Sequence, residues 1–103
     1  MRIHKKLLVT VAVASALGAN LPAQAGGDAA AGKAKAASCT GCHATSSPMN
    51  PNINGQPEAY LVSATKAYQT GERNHPTMKA LVAALSDEDI ANISAYFASL
   101  PCK

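Results

Sequence analysis

The chain has 103 residues, with nine lysines and arginines against six aspartates and glutamates, for a formal net charge of +3. This length allows one small domain and excludes a multidomain enzyme, and three cysteines are too few for a dense disulfide scaffold. Only 4% of the residues are aromatic and none is tryptophan. Side chains alone would build a thin core, so we expect a staple, a metal or a cofactor to complete it.

Residues 1–25 have the pattern of a secretory signal peptide. Three basic residues in the first six positions precede an apolar run over 7–17, and Ala23-Gln24-Ala25 ends the segment. That run is shorter than the roughly 20 residues of a membrane span, which makes an uncleaved anchor the weaker alternative. Cleavage after Ala25 leaves residues 26–103, the mature chain, with six basic and six acidic side chains. The mature chain is formally neutral, so nothing in its charge supports binding to nucleic acid or to an anionic membrane. Once the leader is removed, we expect no stable membrane insertion.

The mature chain predicts helices joined by loops that contain proline and glycine, with no strand pattern of useful length. Asp28 is placed to cap the first helix. The predicted elements are helices over 29–38, 58–69 and 79–85 and loops over 44–57 and 71–78. Ser86 and Asp89 have capping-box spacing before a last helix, which carries an apolar stripe and ends at Pro101. The predicted fold class is all-α.

Cys39-Thr40-Gly41-Cys42-His43 is a C-x-x-C-H motif, which marks covalent attachment of c-type haem. Two thiols a short turn apart can form thioethers with one porphyrin, and the imidazole that follows can bind its iron. Three alternatives are weaker. A thioredoxin-type pair would need a βαβ context, a zinc site would need further ligands, and a disulfide between Cys39 and Cys42 would close a very small loop. We therefore predict one haem c, attached through Cys39 and Cys42, with His43 as the proximal ligand.

The iron of such a haem needs a sixth ligand or has an open face. Met78 follows His43 by 35 residues, which leaves enough chain to reach the opposite side of the ring. His75 is an alternative ligand, or a surface loop residue. Met49 is only six residues from His43 and would need a taut path. Met78 is the predicted ligand, and six-coordinate iron without a vacant position predicts electron transfer rather than catalysis.

Several short segments also occur in a characteristic order. They are 27–33, the C-x-x-C-H motif, 51–56, 60–61, 68–73, 75–78 and 85–98. Together they resemble class I cytochromes c, particularly the small bacterial periplasmic type related to cytochromes c4, c5 and c553. The resemblance covers nearly all of residues 26–103. It implies the cytochrome c fold, with four to five short helices wrapped around one haem and the terminal helices crossing at Gly32 near Tyr96 or Phe97.

The resemblance also implies roles for individual residues. The Pro51 carbonyl would accept the N–H of the proximal histidine, and Gln56, Tyr60 and Arg73 would be partners of the haem propionates. Cys102 departs from the family pattern, because it is a third cysteine without an intrachain partner. It is a free thiol, a route to a disulfide-linked dimer, or a tether to another protein.

The predicted function is a periplasmic monohaem cytochrome that carries single electrons between a donor and an acceptor protein, and that is not an enzyme. Formal neutrality predicts that these redox partners bind a small, largely apolar surface around the haem edge, with weak dependence on ionic strength. Two alternatives stay open. One is a five-coordinate haem protein that binds gas or peroxide, and the other is a haem subunit of a larger redox enzyme complex.

Overall fold

The computed structural model describes residues 26–102, and all regular secondary structure within them is helical. The helices are α1 (Ala29–Lys35), α2 (Ala37–Thr40), α3 (Glu58–Thr70), α4 (Pro76–Val82) and α5 (Asp87–Ala98). The all-α prediction is confirmed. The predicted signal peptide, residues 1–25, lies outside the described residues. In the part that is described, no helix has the length and apolar character needed to cross a membrane.

The first predicted helix is divided into α1 and α2 at Ala36. Asp28 caps α1 as expected, since its carboxylate accepts the N–H groups of Ala30 and Ala31. Ala36 is completely buried, and its carbonyl accepts the N–H groups of both Cys39 and Thr40. The bond from Cys39 spans only three residues, so the helix tightens where the chain turns into the C-x-x-C-H motif.

Helix α4 begins three residues earlier than predicted, at Pro76 rather than at residue 79. Proline has no backbone N–H and a fixed φ, so it is well suited to the first position of a helix. His75 is the N-cap, and its side chain accepts the N–H of Met78. The prediction of a loop over 71–78 was therefore wrong at its end, and Met78 lies in the first turn of α4.

Helices α1 and α5 cross at a point where two backbones meet. Gly32 is buried, and a methyl group at this position would overlap the carbonyl of Asn92 and lie 2.9 Å from the nitrogen of Ile93. The N–H of Asp28 donates to the Asn92 side-chain oxygen at 2.8 Å. The crossing implied by the resemblance is present, but it lies one turn before Tyr96.

The core is as small as the composition suggested. Its buried apolar side chains are Ala36, Leu61, Val82, Ile90, Ala95 and Phe97. Helix α5 supplies half of them, and the predicted capping box of Ser86 and Asp89 fixes where α5 begins. A side chain of α3 holds the C-terminal end of α4: the amide of Gln69 donates to the carbonyls of Val82 and Leu85 at 2.8 and 3.0 Å. This pair of bonds ties α4 to α3.

Candidate functional site

A cavity of about 550 Å³ lies between the C-x-x-C-H segment and helices α3, α4 and α5. Its volume falls within the range of roughly 300–1,000 Å³ that is usual for small-molecule and cofactor sites. All eight site residues predicted from the sequence line this cavity: Cys39, Cys42, His43, Pro51, Gln56, Tyr60, Arg73 and Met78. The fold therefore brings together residues that are distributed along the middle of the chain.

One face of each of three helices supplies the walls of the cavity. The wall residues are Leu61, Ala64, Thr65 and Tyr68 from α3, Met78, Leu81 and Val82 from α4, and Ile93, Ser94 and Phe97 from α5. Apart from Met78, these wall residues were not among the predicted site residues. Their spacing of three and four residues along α3 and α4 is the signal that could have identified them.

The C-x-x-C-H segment continues the helical hydrogen bonding of α2. The carbonyl of Cys39 accepts the N–H of Cys42 at 3.2 Å and the N–H of His43 at 2.9 Å. Residues three and four apart lie on the same side of such a turn, so both thiols and the imidazole face the cavity together. Burial raises the pKa of the Cys39 thiol; a hydrogen bond with Ser38 partly offsets this rise, and the neighbouring Cys42 adds a smaller increase. This thiol is therefore protonated at neutral pH.

The ring of His43 is oriented by a backbone carbonyl. Its Nδ1 atom lies 2.8 Å from the oxygen of Pro51, the contact that the family resemblance implied. A carbonyl oxygen only accepts hydrogen bonds, so Nδ1 carries the proton in this contact. The other ring nitrogen, Nε2, then keeps a lone pair that can bind a metal ion.

The three candidates for a second axial ligand have different environments. Met78 is half-buried and lines the cavity. His75 also lines it, but its Nδ1 accepts the N–H of Met78 at 3.2 Å, which places the ring proton on Nε2. Neither nitrogen of His75 has a free lone pair in that arrangement. Met49 is 87% exposed and does not line the cavity. Met78 is thus the candidate whose donor atom is available within the cavity.

The mouth of the cavity is polar and open to water. Gln56, Tyr60 and Arg73 are all exposed. The guanidinium carbon of Arg73 lies 4.9 Å from the ring centroid of Tyr68, so a cation–π contact holds this side chain beside the cavity. The ring of His75 meets Tyr68 edge-on, with a centroid separation of 6.1 Å.

The donor set of the cavity fits haem c. Two thiols are available for thioether bonds, an imidazole nitrogen and a thioether sulfur are suitable axial ligands, and the walls are largely apolar. The polar mouth suits carboxylates that remain hydrated. Covalent attachment of haem c uses two cysteines, and the third, Cys102, does not line the cavity.

Cys102 lies on another part of the surface. It is exposed, and its Sγ donates to the carbonyl of Gly55 at 3.5 Å. Cys39, Cys42 and Cys102 are all free thiols in the described structure. A dimer or tether through Cys102 remains a prediction.

Comparison with known proteins gives a consistent result. The cytochrome c family model matches residues 29–101. Cytochrome c-554(548) of Halomonas halodenitrificans is 46% identical over 80 residues, covering 71% of this chain and 96% of that protein. Cytochrome c4 of Pseudomonas aeruginosa is 44% identical over 98 residues, and cytochrome c4 of Azotobacter vinelandii is 36% identical over 107 residues. The chain covers 48% and 50% of these two proteins, so it spans about half of their length.

Proposed function

The chain belongs to the cytochrome c family, and from that premise we propose that it is a periplasmic carrier of single electrons whose haem iron is held by His43 and Met78. Haem c is bound covalently through the C-x-x-C-H motif, here through Cys39 and Cys42. The protein transfers electrons and is not an enzyme. The main support for His43 and Met78 as the two iron ligands is that a single cavity contains both thiols, the His43 ring and the Met78 side chain.

His43 acts as the proximal ligand in this proposal. The hydrogen bond to the Pro51 carbonyl fixes the tautomer that leaves Nε2 unprotonated, and it also limits rotation of the ring. A carbonyl partner makes the imidazole a stronger donor to iron. Pro51 is therefore proposed as a positioning residue that acts on the iron through His43.

Met78 acts as the distal ligand. Helix α4, which carries Met78, is held at its start by the His75 side chain and near its end by Gln69. The short helix therefore presents Met78 on a fixed turn rather than on a flexible loop. A thioether ligand favours Fe(II) and raises the reduction potential relative to a second imidazole.

When bound, the haem supplies a one-electron couple between Fe(III) and Fe(II). The residues of the chain set the conditions for that couple. The apolar walls formed by Leu61, Val82 and Phe97 exclude water from the interior of the cavity, since these side chains are themselves buried. At the mouth, we propose that Gln56, Tyr60 and Arg73 interact with the haem propionates.

The proposal extends to location and partners. Residues 1–25 act as a signal peptide that is removed during export, and the mature chain is residues 26–103. The mature chain is formally neutral, because the three basic residues of the leader account for the net charge of +3. Donor and acceptor proteins therefore recognise mainly an apolar surface around the haem edge, on the side of the cavity where Leu81 is 51% exposed rather than at the polar mouth. Rates of transfer should depend weakly on ionic strength.

Absorption spectra of the exported protein test the ligand assignment. We expect the oxidised form to show the weak band at the red edge of the visible spectrum that reports an iron–thioether bond. Met78→Ala should abolish this band and keep the haem attached, whereas the control Met49→Ala should retain it. A wild-type protein that lacks the band and binds carbon monoxide when reduced would overturn the carrier proposal in favour of a five-coordinate haem.

A further inference from the structure

The first described residues are anchored to two helices immediately after the predicted cleavage point. The N–H of Gly27 donates to Oε1 of Glu58, the first residue of α3, at 2.7 Å. The next N–H, from Asp28, donates to the side chain of Asn92 on α5 at 2.8 Å. The backbone that follows Ala25 is therefore fixed by long-range contacts, although it precedes the first helix.

The carboxylate of Glu58 also faces Gly26. A methyl group on Gly26 would lie 2.8 Å from both carboxylate oxygens. The nitrogen of Gly26 is bonded to the same α-carbon, so it lies within about 5 Å of the carboxylate. At this separation an opposite charge has a substantial effect on a titratable group.

No basic side chain of the described residues pairs with Glu58. The ion pairs within residues 26–102 are Lys35 with Asp89 at 3.5 Å and Lys66 with Asp87 at 3.2 Å. Lys66 and Glu72 line the same shallow depression as Glu58. Lys66 is already paired, Glu72 is another carboxylate, and Asp28 uses its carboxylate to cap α1. The half-buried carboxylate of Glu58 therefore lacks a cation.

We infer that Glu58 is the binding site for the α-ammonium group of Gly26 that removal of residues 1–25 creates. This inference rests on the export proposed above. Hydrolysis of the Ala25–Gly26 bond by a signal peptidase consumes one water and leaves a carboxylate on Ala25 and an ammonium on Gly26. The neutral amide nitrogen of the precursor becomes a cation with three donors, placed beside a carboxylate that has no cation of its own.

Steric limits explain why the new terminus stays at this position. A methyl group at Gly27 would overlap the carbonyl of Ala91 and lie 2.5 Å from the nitrogen of Asn92. Only glycine allows the backbone to pass this close to α5. The ammonium group is thus held where α1, α3 and α5 meet, so the pair with Glu58 should stabilise the mature chain and not the precursor.

The test uses the exported holoprotein and its Glu58→Gln variant. Glutamine keeps an oxygen that can accept the Gly27 N–H, so the substitution removes the charge alone. The N-terminal peptide is followed by mass spectrometry after reaction with an amine-directed reagent at pH 7. The wild-type α-amine should react about tenfold more slowly than that of the variant, because the ion pair keeps it charged. Glu72→Gln, in the same depression, should react at the wild-type rate.

A second measurement tests the pairing without the reagent. Inserting one alanine between Ala25 and Gly26 moves the ammonium away from Glu58. This insertion should lower the melting temperature of the wild type but not that of Glu58→Gln. Equal reactivity of wild type and Glu58→Gln, or equal losses from the insertion in both backgrounds, would overturn the inference. The mass of the mature chain separates the two proposals. A start at another residue would overturn the cleavage site and the inference, whereas a start at Gly26 without coupling would overturn the inference alone.

Discussion

Replacing Gly32 with alanine should destabilise the protein, although alanine is the better helix former. In an exposed helix interior this change is favourable by about 1 kcal/mol. Here the added methyl group would overlap the Asn92 carbonyl and lie 2.9 Å from the nitrogen of Ile93. Both are backbone atoms of α5, which cannot rotate away as a side chain would. Helices α1 and α5 would have to separate.

The expected magnitude follows from these two opposing effects. Overpacking in a well-packed interior costs about 1–3 kcal/mol, and overlap with backbone belongs at the upper end of that range. Subtracting the gain in helix propensity leaves a net loss of about 2 kcal/mol in the free energy of unfolding. For a domain of this size, that loss lowers the melting temperature by about 8–16 °C.

Thermal unfolding of the oxidised holoprotein, followed by circular dichroism, measures this loss. Ala34→Gly is a matched control, because Ala34 is exposed on the same helix. It should lose about 1 kcal/mol through helix propensity alone. Gly32→Ala should therefore be the less stable variant, although propensity favours the opposite order. A Gly32→Ala protein as stable as the wild type would refute the close crossing of α1 and α5.

Three further predictions concern helix α4, stability at acid pH and the cofactor. His75→Ala should weaken the start of α4 by about 1 kcal/mol, and the absorption band that we assign to the bond between iron and Met78 should disappear at a lower temperature. His75→Asn can still cap the helix, so this variant should show neither effect. The Ser86 backbone N–H, the largest of several contributions, holds the pKa of Asp89 below its usual value. The stability that this contact contributes is complete above the unfolded pKa of about 3.9 and is lost as pH falls through the lower folded pKa. Below pH 4 the melting temperature of Asp89→Asn should therefore fall less steeply with pH than that of the wild type. Equal slopes in the two proteins would contradict this prediction. Replacing both Cys39 and Cys42 with alanine should give an unfolded, protease-sensitive chain, and a well-folded haem-free double variant would show that the core does not need the cofactor.

Features encoded by neighbouring residues could be predicted from the sequence. The capping box of Ser86 and Asp89 depends on a spacing of three residues, and the structure contains both of its hydrogen bonds. The C-x-x-C-H motif is also local, because one helical turn determines how its thiols and imidazole face the cavity. The start of α4 was missed because Pro76 fits both a loop and the first turn of a helix, and histidine is an uncommon cap.

Contacts between distant residues could not be predicted in this way. Gln69 appears in the sequence as an ordinary polar helix residue, yet it holds the end of α4 through two carbonyls. The position of the crossing at Asn92 depends on how two helices pack, and family resemblance placed it one turn too late. The hydrogen bond from Gly27 to Glu58 likewise joins residues that are 31 positions apart in the sequence.

The contact between the N-terminal segment and α5 affects the order in which the protein folds and acquires its haem. Asp28 and Asn92, which are joined by a hydrogen bond, are 64 residues apart in the sequence. In the export proposed above, the N-terminal end of the mature chain leaves the secretion channel first, so α1 cannot dock before nearly the entire polypeptide has emerged. Because the fold cannot close until α5 is available, the thiols of Cys39 and Cys42 stay accessible for haem attachment during this interval. We therefore expect haem attachment to precede closure of the fold, so that the polypeptide folds around its cofactor.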